Sequence, residues 1–129
     1  MQQTKPIDQV RALWAAYARG GVEAMHAEVG DGLVEWIPLG AEAPVPAESF
    51  WGDWGRKQTE HVSVTVHAFE EHGACVLAHG SMRTFREGGF ADVQPSWVYF
   101  FRDGVLVRGA GFPTREAALE AIGRYRAEE

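Results

Sequence analysis

The first part of the chain carries hydrophobic residues at helical spacing, three or four positions apart. These residues are Val10, Leu13, Trp14 and Tyr17. Their spacing predicts an amphipathic helix that begins near Ile7 and ends at Gly20-Gly21, because glycine readily adopts the conformation that closes a helix. A second short helix after this pair would turn Met25 and Val29 inward.

From residue 61 the hydrophobic period changes to two, which is typical of strands with one buried face. One face of the first strand carries Val62, Val64, Val66 and Ala68. The other face carries His61, Ser63, Thr65, His67 and Phe69. Further strands are predicted over 74–85, 96–102 and 105–110, and Asp103-Gly104 predicts a hairpin turn between the last two. These strands predict an antiparallel meander.

Shorter elements complete the order. A strand is predicted over 33–37, where Pro38 stops it, and Thr114 is a suitable N-cap for a closing helix. The segment 40–46 is expected to be a loop. A short helix after it would carry Phe50, Trp51 and Trp54. The order predicts an α+β fold with a curved sheet around helices, and 129 residues fit one domain over 1–129.

Composition excludes several classes of function. The formal net charge of −6, without a basic run, excludes a nucleic-acid partner and an anionic membrane surface. Cys75 is the only cysteine, which excludes an internal disulfide framework and a cluster of zinc-bound thiolates. No metal, nucleotide or serine-hydrolase motif is present, so no cofactor and no metal are expected. The polar start and the lack of a long apolar segment predict a cytoplasmic protein.

Three segments occur in the order seen in the NTF2-like superfamily. They are Tyr17-Ala18-Arg19-Gly20-Gly21, Val34-Glu35-Trp36-Ile37-Pro38 and Phe101-Arg102-Asp103-Gly104-Val105-Leu106-Val107-Arg108. The sequence therefore resembles the SnoaL-like branch over residues 7–122. The resemblance implies a cone-shaped barrel, in which a curved antiparallel sheet wraps around helices. It also implies a ligand cavity between the first helix and the sheet, and a homodimer formed through the sheet.

The superfamily includes ketosteroid isomerases, polyketide cyclases, dehydratases and proteins without catalytic activity. The isomerases carry a tyrosine, an aspartate that acts as the base, and a protonated aspartic acid. At the corresponding positions this chain has Leu13, Ile37 and Trp97. Without those groups the chain lacks the base and the oxyanion donors of that mechanism. Steroid isomerisation by that mechanism is therefore not expected.

The same comparison implies which side chains line the cavity. The substrate-binding candidates are Leu13, Tyr17, Ile37, Trp51, Trp54, Ser81, Arg83, Trp97, Tyr99, Gly109 and Gly111. The aromatic rings would stack against a flat apolar ligand, and the two glycines would leave space for it. We expect a hydrophobic small molecule, aromatic or polycyclic, as the partner.

His79, Ser81 and Arg83 alternate along one predicted strand and therefore share a face. If that face is inward, His79 is the candidate general acid or base, and Glu35 across the barrel could orient it or act alone. Arg83 could pair with Glu35 or with an anionic substrate group. The alternative turns this row outward and places on the inner face Val76, Ala78, Gly80 and Met82.

Three functions stay open at this point. The first is an isomerase, cyclase or dehydratase that uses His79 and Glu35 in general acid–base catalysis. The second is a binding protein that uses the same cavity without turnover. The third is a dimeric scaffold in which the cavity has no role.

Overall fold

The computed structural model describes residues 5–29, 35–37, 45–46 and 62–128. Helix α1 is Pro6–Val29 and helix α2 is Arg115–Glu128. The strands in chain order are β1 Glu35–Ile37, β2 Val45–Pro46, β3 Val62–His72, β4 Cys75–Arg86, β5 Gly89–Val93, β6 Ser96–Arg102 and β7 Val105–Phe112. The predicted helix with Phe50, Trp51 and Trp54 lies outside the described residues.

The seven strands form one curved sheet in the order β2-β1-β7-β6-β4-β3, and β5 pairs with β4. Neighbouring strands are antiparallel except β1 and β7, which are parallel with Trp36 opposite Gly109. The predicted α+β class is confirmed, but the sheet is mixed rather than wholly antiparallel. The parallel pair is possible because most of the chain lies between its two strands, which gives ample length for a crossover.

Helix α1 contains a kink at the glycine pair that the sequence singled out. Gly20 and Gly21 have non-helical backbone angles, and Gly21 has a φ of 70°, which favours glycine. Met25 follows the kink and is buried, as predicted. The side chain of Val29 lies outside the described part of the chain. No helix among the described residues is long and apolar enough to span a membrane.

The sheet separates two hydrophobic clusters. We call the side packed against α1 the inner face and the side packed against α2 the outer face. The buried inner cluster consists of Val10, Leu13, Met25, Trp36, Val76, Ala78, Trp97, Tyr99, Phe101 and Leu106. The buried outer cluster consists of Cys75, Leu77, Val98, Phe100, Ala110, Ala118 and Ile122. Helices on both sides explain why β6 is buried along all but its last residue.

A bulge in β3 changes the predicted alternation of its side chains. The pairing with β4 shifts between Val66 and Ala68, so His67 is an extra residue without a direct partner. An extra residue reverses the alternation beyond it. Phe69 therefore packs against the inner cluster together with Val64, and the prediction that placed these two on opposite faces is wrong.

Two local predictions about turns and caps are confirmed. Asp103 and Gly104 have φ values of 52° and 79°, as a tight hairpin turn between β6 and β7 requires. The backbone N–H of Ala117 donates a hydrogen bond to Thr114 Oγ1 at 3.1 Å, which caps α2. Strand β5 was not predicted, since four of its five residues are exposed and it begins at a glycine.

Candidate functional site

Aromatic rings of α1 and β6 meet on the inner face. The ring centroids of Trp14 and Trp97 are 4.9 Å apart, and those of Trp14 and Tyr17 are 5.4 Å apart. Tyr99, two residues along β6, lies 6.1 Å from Trp36. Edge and tilted contacts of this kind stabilise aromatic clusters. The inner face is therefore rich in aromatic side chains.

Two polar atoms in this cluster are buried without a hydrogen-bond partner among the described residues. They are the indole Nε1 of Trp14 and the hydroxyl of Tyr99. Burial raises the pKa of Tyr99, and the Trp14 indole N–H opposes that rise, so the two groups lie near each other. Their contact nonetheless lacks the geometry of a hydrogen bond. Leaving such a group unpaired costs ~1–3 kcal/mol, which makes this spot a candidate binding site.

Four predicted cavity residues with large side chains belong to this inner region. Leu13, Trp97 and Tyr99 are buried members of the inner cluster, and Tyr17 packs against it half-buried. Burial also raises the pKa of the Tyr17 phenol. The structure therefore brings together the predicted residues of α1 and β6.

Strand β1 presents the opposite face from the one predicted. Trp36 is a buried member of the inner cluster, whereas Ile37 packs against the outer cluster. A strand shifted by one residue exchanges its two faces, and the parallel pairing of Trp36 with Gly109 fixes this choice. Ile37 is therefore not an inner-face residue, and Trp36 takes its place.

The space expected at Gly109 is occupied by an indole ring. A Cβ at this position would lie closer than 3.0 Å to Cζ3 and Cε3 of Trp36. The glycine is thus required by the tryptophan packed on it. Gly111 pairs with Trp97 in the sheet and is buried.

The polar row of β4 lies on the outer face, so the alternative arrangement is the one observed. Val76 and Ala78 are in the inner cluster. Leu77, which shares its face of β4 with the polar row, is in the outer cluster. His79 Nδ1 lies 2.8 Å from the hydroxyl oxygen of Ser96. The inward placement of the polar row is therefore wrong. A one-residue choice of face cannot be decided from alternation alone.

The outward row also has different partners from those predicted. Arg83 donates from Nε and Nη2 to the carboxylate of Asp92 at 2.8 and 3.0 Å, and its guanidinium lies 3.8 Å from the ring centroid of Phe90. Ser81 is exposed and lines a shallow groove beside Arg83. Both residues are thus absent from the inner-face cluster.

Glu35 binds Arg108 rather than Arg83 or His79. The Arg108 guanidinium donates to the Glu35 carboxylate and also lies over the ring of Phe100, on the outer face. Three strand spacings separate β1 from β4, roughly 14 Å in total. The predicted pairing of Glu35 with His79 is therefore wrong, because neither side chain can reach across the two intervening strands.

Solved structures of similar shape provide a comparison. An NTF2-like protein from Burkholderia thailandensis is 20% identical, with 95% of this chain and 98% of that chain covered and a TM-score of 0.71. TerC, co-crystallised with polyporic acid, is 18% identical, with 91% and 97% covered and a TM-score of 0.66. A protein from Jannaschia sp. described as a SnoaL-like polyketide cyclase is 18% identical, with 95% and 97% covered and a TM-score of 0.62. This chain has the NTF2-like fold.

The sequence resemblance is thereby confirmed at the level of the fold. Identities of this size show a shared NTF2-like fold and leave the activity to be argued from the site. No family sequence model and no curated protein matches the chain.

Sequence reasoning missed two inner-face residues of this NTF2-like domain. Trp14 was recognised as part of the helical stripe but was not included among the cavity residues. Trp36 was missed because β1 was assigned the opposite face. The available signal was the size of Trp36, since a large ring fits a buried position opposite a glycine better than Ile37 does.

Two other predicted cavity residues, Trp51 and Trp54, lie outside the described residues. In the parts of the chain that the structure describes, no group of three His, Cys, Asp or Glu side chains is arranged to hold a metal ion.

Proposed function

We propose that this NTF2-like domain binds a hydrophobic small molecule, aromatic or polycyclic, between α1 and the inner face of the sheet. The fold neighbours support a small-molecule-binding role, and the rings of Trp14, Trp97 and Tyr99 provide apolar contact area. The observation that carries the proposal is that the Tyr99 hydroxyl and the neighbouring Trp14 N–H have no hydrogen-bond partner among the described residues. A ligand that pairs with them removes an energetic cost that the described residues leave in place.

The two groups also define the polar part of the ligand. The indole N–H of Trp14 is a donor only, and the Tyr99 hydroxyl can donate or accept. One oxygen that accepts from both, such as a ketone or quinone carbonyl, satisfies the pair. The described members of the inner cluster carry no charged side chain, which favours a neutral oxygen over a carboxylate.

Binding without turnover is better supported than catalysis. His79 and Glu35, the predicted acid–base residues, both lie on the outer face. The inner region contains the phenols of Tyr17 and Tyr99, and burial raises the pKa of both. Phenols with raised pKa values are poor proton donors near neutral pH. An isomerase, cyclase or dehydratase activity stays a prediction, and His79→Ala would abolish it if His79 is the acid or base.

The test compares two ligands that differ at one polar group. We would titrate the protein with 2-acetylnaphthalene and with 2-ethylnaphthalene and follow tryptophan fluorescence. The ketone is expected to bind about tenfold more tightly, because a net hydrogen bond contributes ~1–1.5 kcal/mol. Polyporic acid is a third probe, chosen because TerC was co-crystallised with it.

A matched pair of variants identifies the site. Tyr99→Phe should remove most of the preference for the ketone and keep the affinity for 2-ethylnaphthalene. Tyr125→Phe makes the same chemical change on the outer face, where Tyr125 packs against Phe100, and should leave both affinities unchanged. Equal binding of the two naphthalenes by the wild type, or an unaltered preference in Tyr99→Phe, would contradict the proposal.

We also propose that the chain forms a homodimer through exposed aromatic residues of the sheet. Phe85 and Phe90 are paired across β4 and β5 and are 51% and 57% exposed. Adjacent exposed rings are typical of interaction surfaces. Light scattering after gel filtration should give twice the chain mass for the wild type and the monomer mass for Phe85→Ser. A monomeric wild type would contradict this proposal.

A further inference from the structure

The bulge in β3 brings two histidines together on the outer face. His67 is the extra residue of the bulge, and His79 lies on the neighbouring strand opposite Ala68. Their ring centroids are 5.7 Å apart, with the ring planes nearly perpendicular at 88°. The sequence offers no sign of this pair, since regular alternation without the bulge gives no reason to join residues 67 and 79.

The ring of His79 is held in place by a buried hydroxyl. Ser96 is fully buried, and its Oγ lies 2.8 Å from Nδ1 of His79. When Nδ1–H donates to this oxygen, Nε2 keeps its lone pair and becomes a potential metal ligand. A hydrogen bond from the second ring nitrogen is the usual way in which proteins orient histidines that bind metals.

The backbone around the pair keeps the two strands close. A Cβ at Gly80 would overlap the carbonyl oxygen of Thr65, so only glycine fits there. The N–H of Gly80 also donates to the carbonyl of Pro95 at 3.3 Å, which connects this part of β4 to the start of β6. The close approach of Gly80 to Thr65 keeps the strands that carry His67 and His79 near each other.

We propose that His67 and His79 form a binding site for one divalent transition-metal ion of the Zn²⁺, Ni²⁺ and Cu²⁺ class. Two imidazoles on one tetrahedral ion, with N–metal distances of ~2.1 Å, have centroids roughly 5 Å apart. The observed 5.7 Å is close to this value, and His67 is exposed and free to rotate toward the ion. Imidazole nitrogen suits these ions, whereas Mg²⁺ and Ca²⁺ prefer oxygen.

Among the described residues, a groove adjoins the pair of histidines. Thr65 and Ser81 are the next residues on the same face, and they begin a groove of about 450 Å³ that extends past Arg83. Water or a small anionic group in this groove can complete the coordination. The site is on the opposite side of the sheet from the proposed ligand region and does not depend on it.

The experiment is isothermal titration of the untagged protein with Zn²⁺. The wild type should bind one ion per chain, and His67→Ala and His79→Ala should each weaken binding by at least about tenfold. Ser96→Ala keeps both ligands but releases the His79 ring, and it should weaken binding by about tenfold. His26→Ala removes an exposed histidine of α1 and should bind as the wild type does.

A wild type that binds no Zn²⁺, or a His67→Ala variant that binds it as tightly as the wild type, would overturn the proposal. Because His67 is exposed, this variant should fold, and it decides the question even if His79→Ala does not fold. Circular dichroism of each variant shows which case applies. Equal loss of binding in His26→Ala would also overturn the assignment.

Discussion

Gly109→Ala tests the packing of Trp36 on β7, which shapes the inner face. An added Cβ would lie closer than 3.0 Å to two carbons of the indole and 3.4 Å from Cη2. Ordinary carbon contacts begin near ~3.5 Å, so the ring must move by more than about 0.5 Å. Trp36 is only 6% exposed and is surrounded by the inner cluster, so the movement disturbs its neighbours, including Tyr99.

The magnitude follows from two opposing effects. Overpacking of this kind costs ~1–3 kcal/mol, and replacing glycine in a strand gains ~0.5–1 kcal/mol from the unfolded chain. We therefore expect Gly109→Ala to lower the free energy of unfolding by about 1–2 kcal/mol. Gly123→Ala is the control, because a Cβ on α2 at this position meets no atom within 4 Å. It should raise stability by about 0.5–1 kcal/mol.

Urea unfolding followed by circular dichroism measures both variants. Alanine should lower the free energy of unfolding at position 109 and raise it at position 123. In a Trp36→Ala background, Gly109→Ala should lose its cost, because the obstructing ring is gone. The reasoning is refuted if Gly109→Ala is as stable as the wild type, or if its cost is the same with and without the Trp36 ring.

Three further predictions concern single groups. Tyr99→Phe should stabilise the ligand-free protein by about 1 kcal/mol, because it removes a buried hydroxyl without a partner among the described residues. A lower melting temperature for this variant would contradict the assignment. Thr114→Ala should cost about 1 kcal/mol through loss of the cap of α2, and an unchanged urea midpoint would argue against that cap.

Hydrogen bonds from Arg115, one of them 2.8 Å long, are the main cause that lowers the pKa of Glu70 from 4.5 to about 2, and a contact with His72 adds to it. A lowered pKa in the folded state stabilises the fold above pH 4.5, and this stabilisation is lost as the pH falls from 4.5 to 2. The pair is partly exposed, so solvent screening reduces its contribution, and Arg115→Ala should flatten the acid limb of the stability profile. If the stability of the wild type and of Arg115→Ala falls equally as the pH drops from 4.5 to 2, the assignment of this stabilisation to Arg115 is refuted.

The sequence predicted the elements whose pattern is local. The stripe of α1, the interruption of the helix at Gly20-Gly21, the Asp103-Gly104 turn and the Thr114 cap each depend on residues within one or two turns of chain. Propensity, spacing and capping chemistry are decided at that range. The resemblance to the NTF2-like superfamily depended on three short sequence segments and their order along the chain.

The faces of strands were less predictable, because each depends on contacts with distant parts of the chain. The resemblance implied that Ile37 faces inward, whereas the pairing with β7 turns Ile37 outward and Trp36 inward. The sequence left the face of His79 open, and packing against β6 and α2 places it on the outer face. The bulge at His67 reverses one strand midway and leaves no mark in the hydrophobic pattern. A shift of one residue is small in sequence and exchanges every side chain between the two faces.

The central claim is that the inner face binds a neutral aromatic molecule whose carbonyl pairs with Tyr99 and Trp14. Infrared spectroscopy of bound, carbonyl-labelled 2-acetylnaphthalene tests it most directly. The account predicts a carbonyl stretch at lower frequency than in an apolar solvent, with a smaller shift in Tyr99→Phe. The claim would be contradicted by an absence of saturable binding, or by a bound carbonyl frequency equal to that in hexane and the same in both proteins.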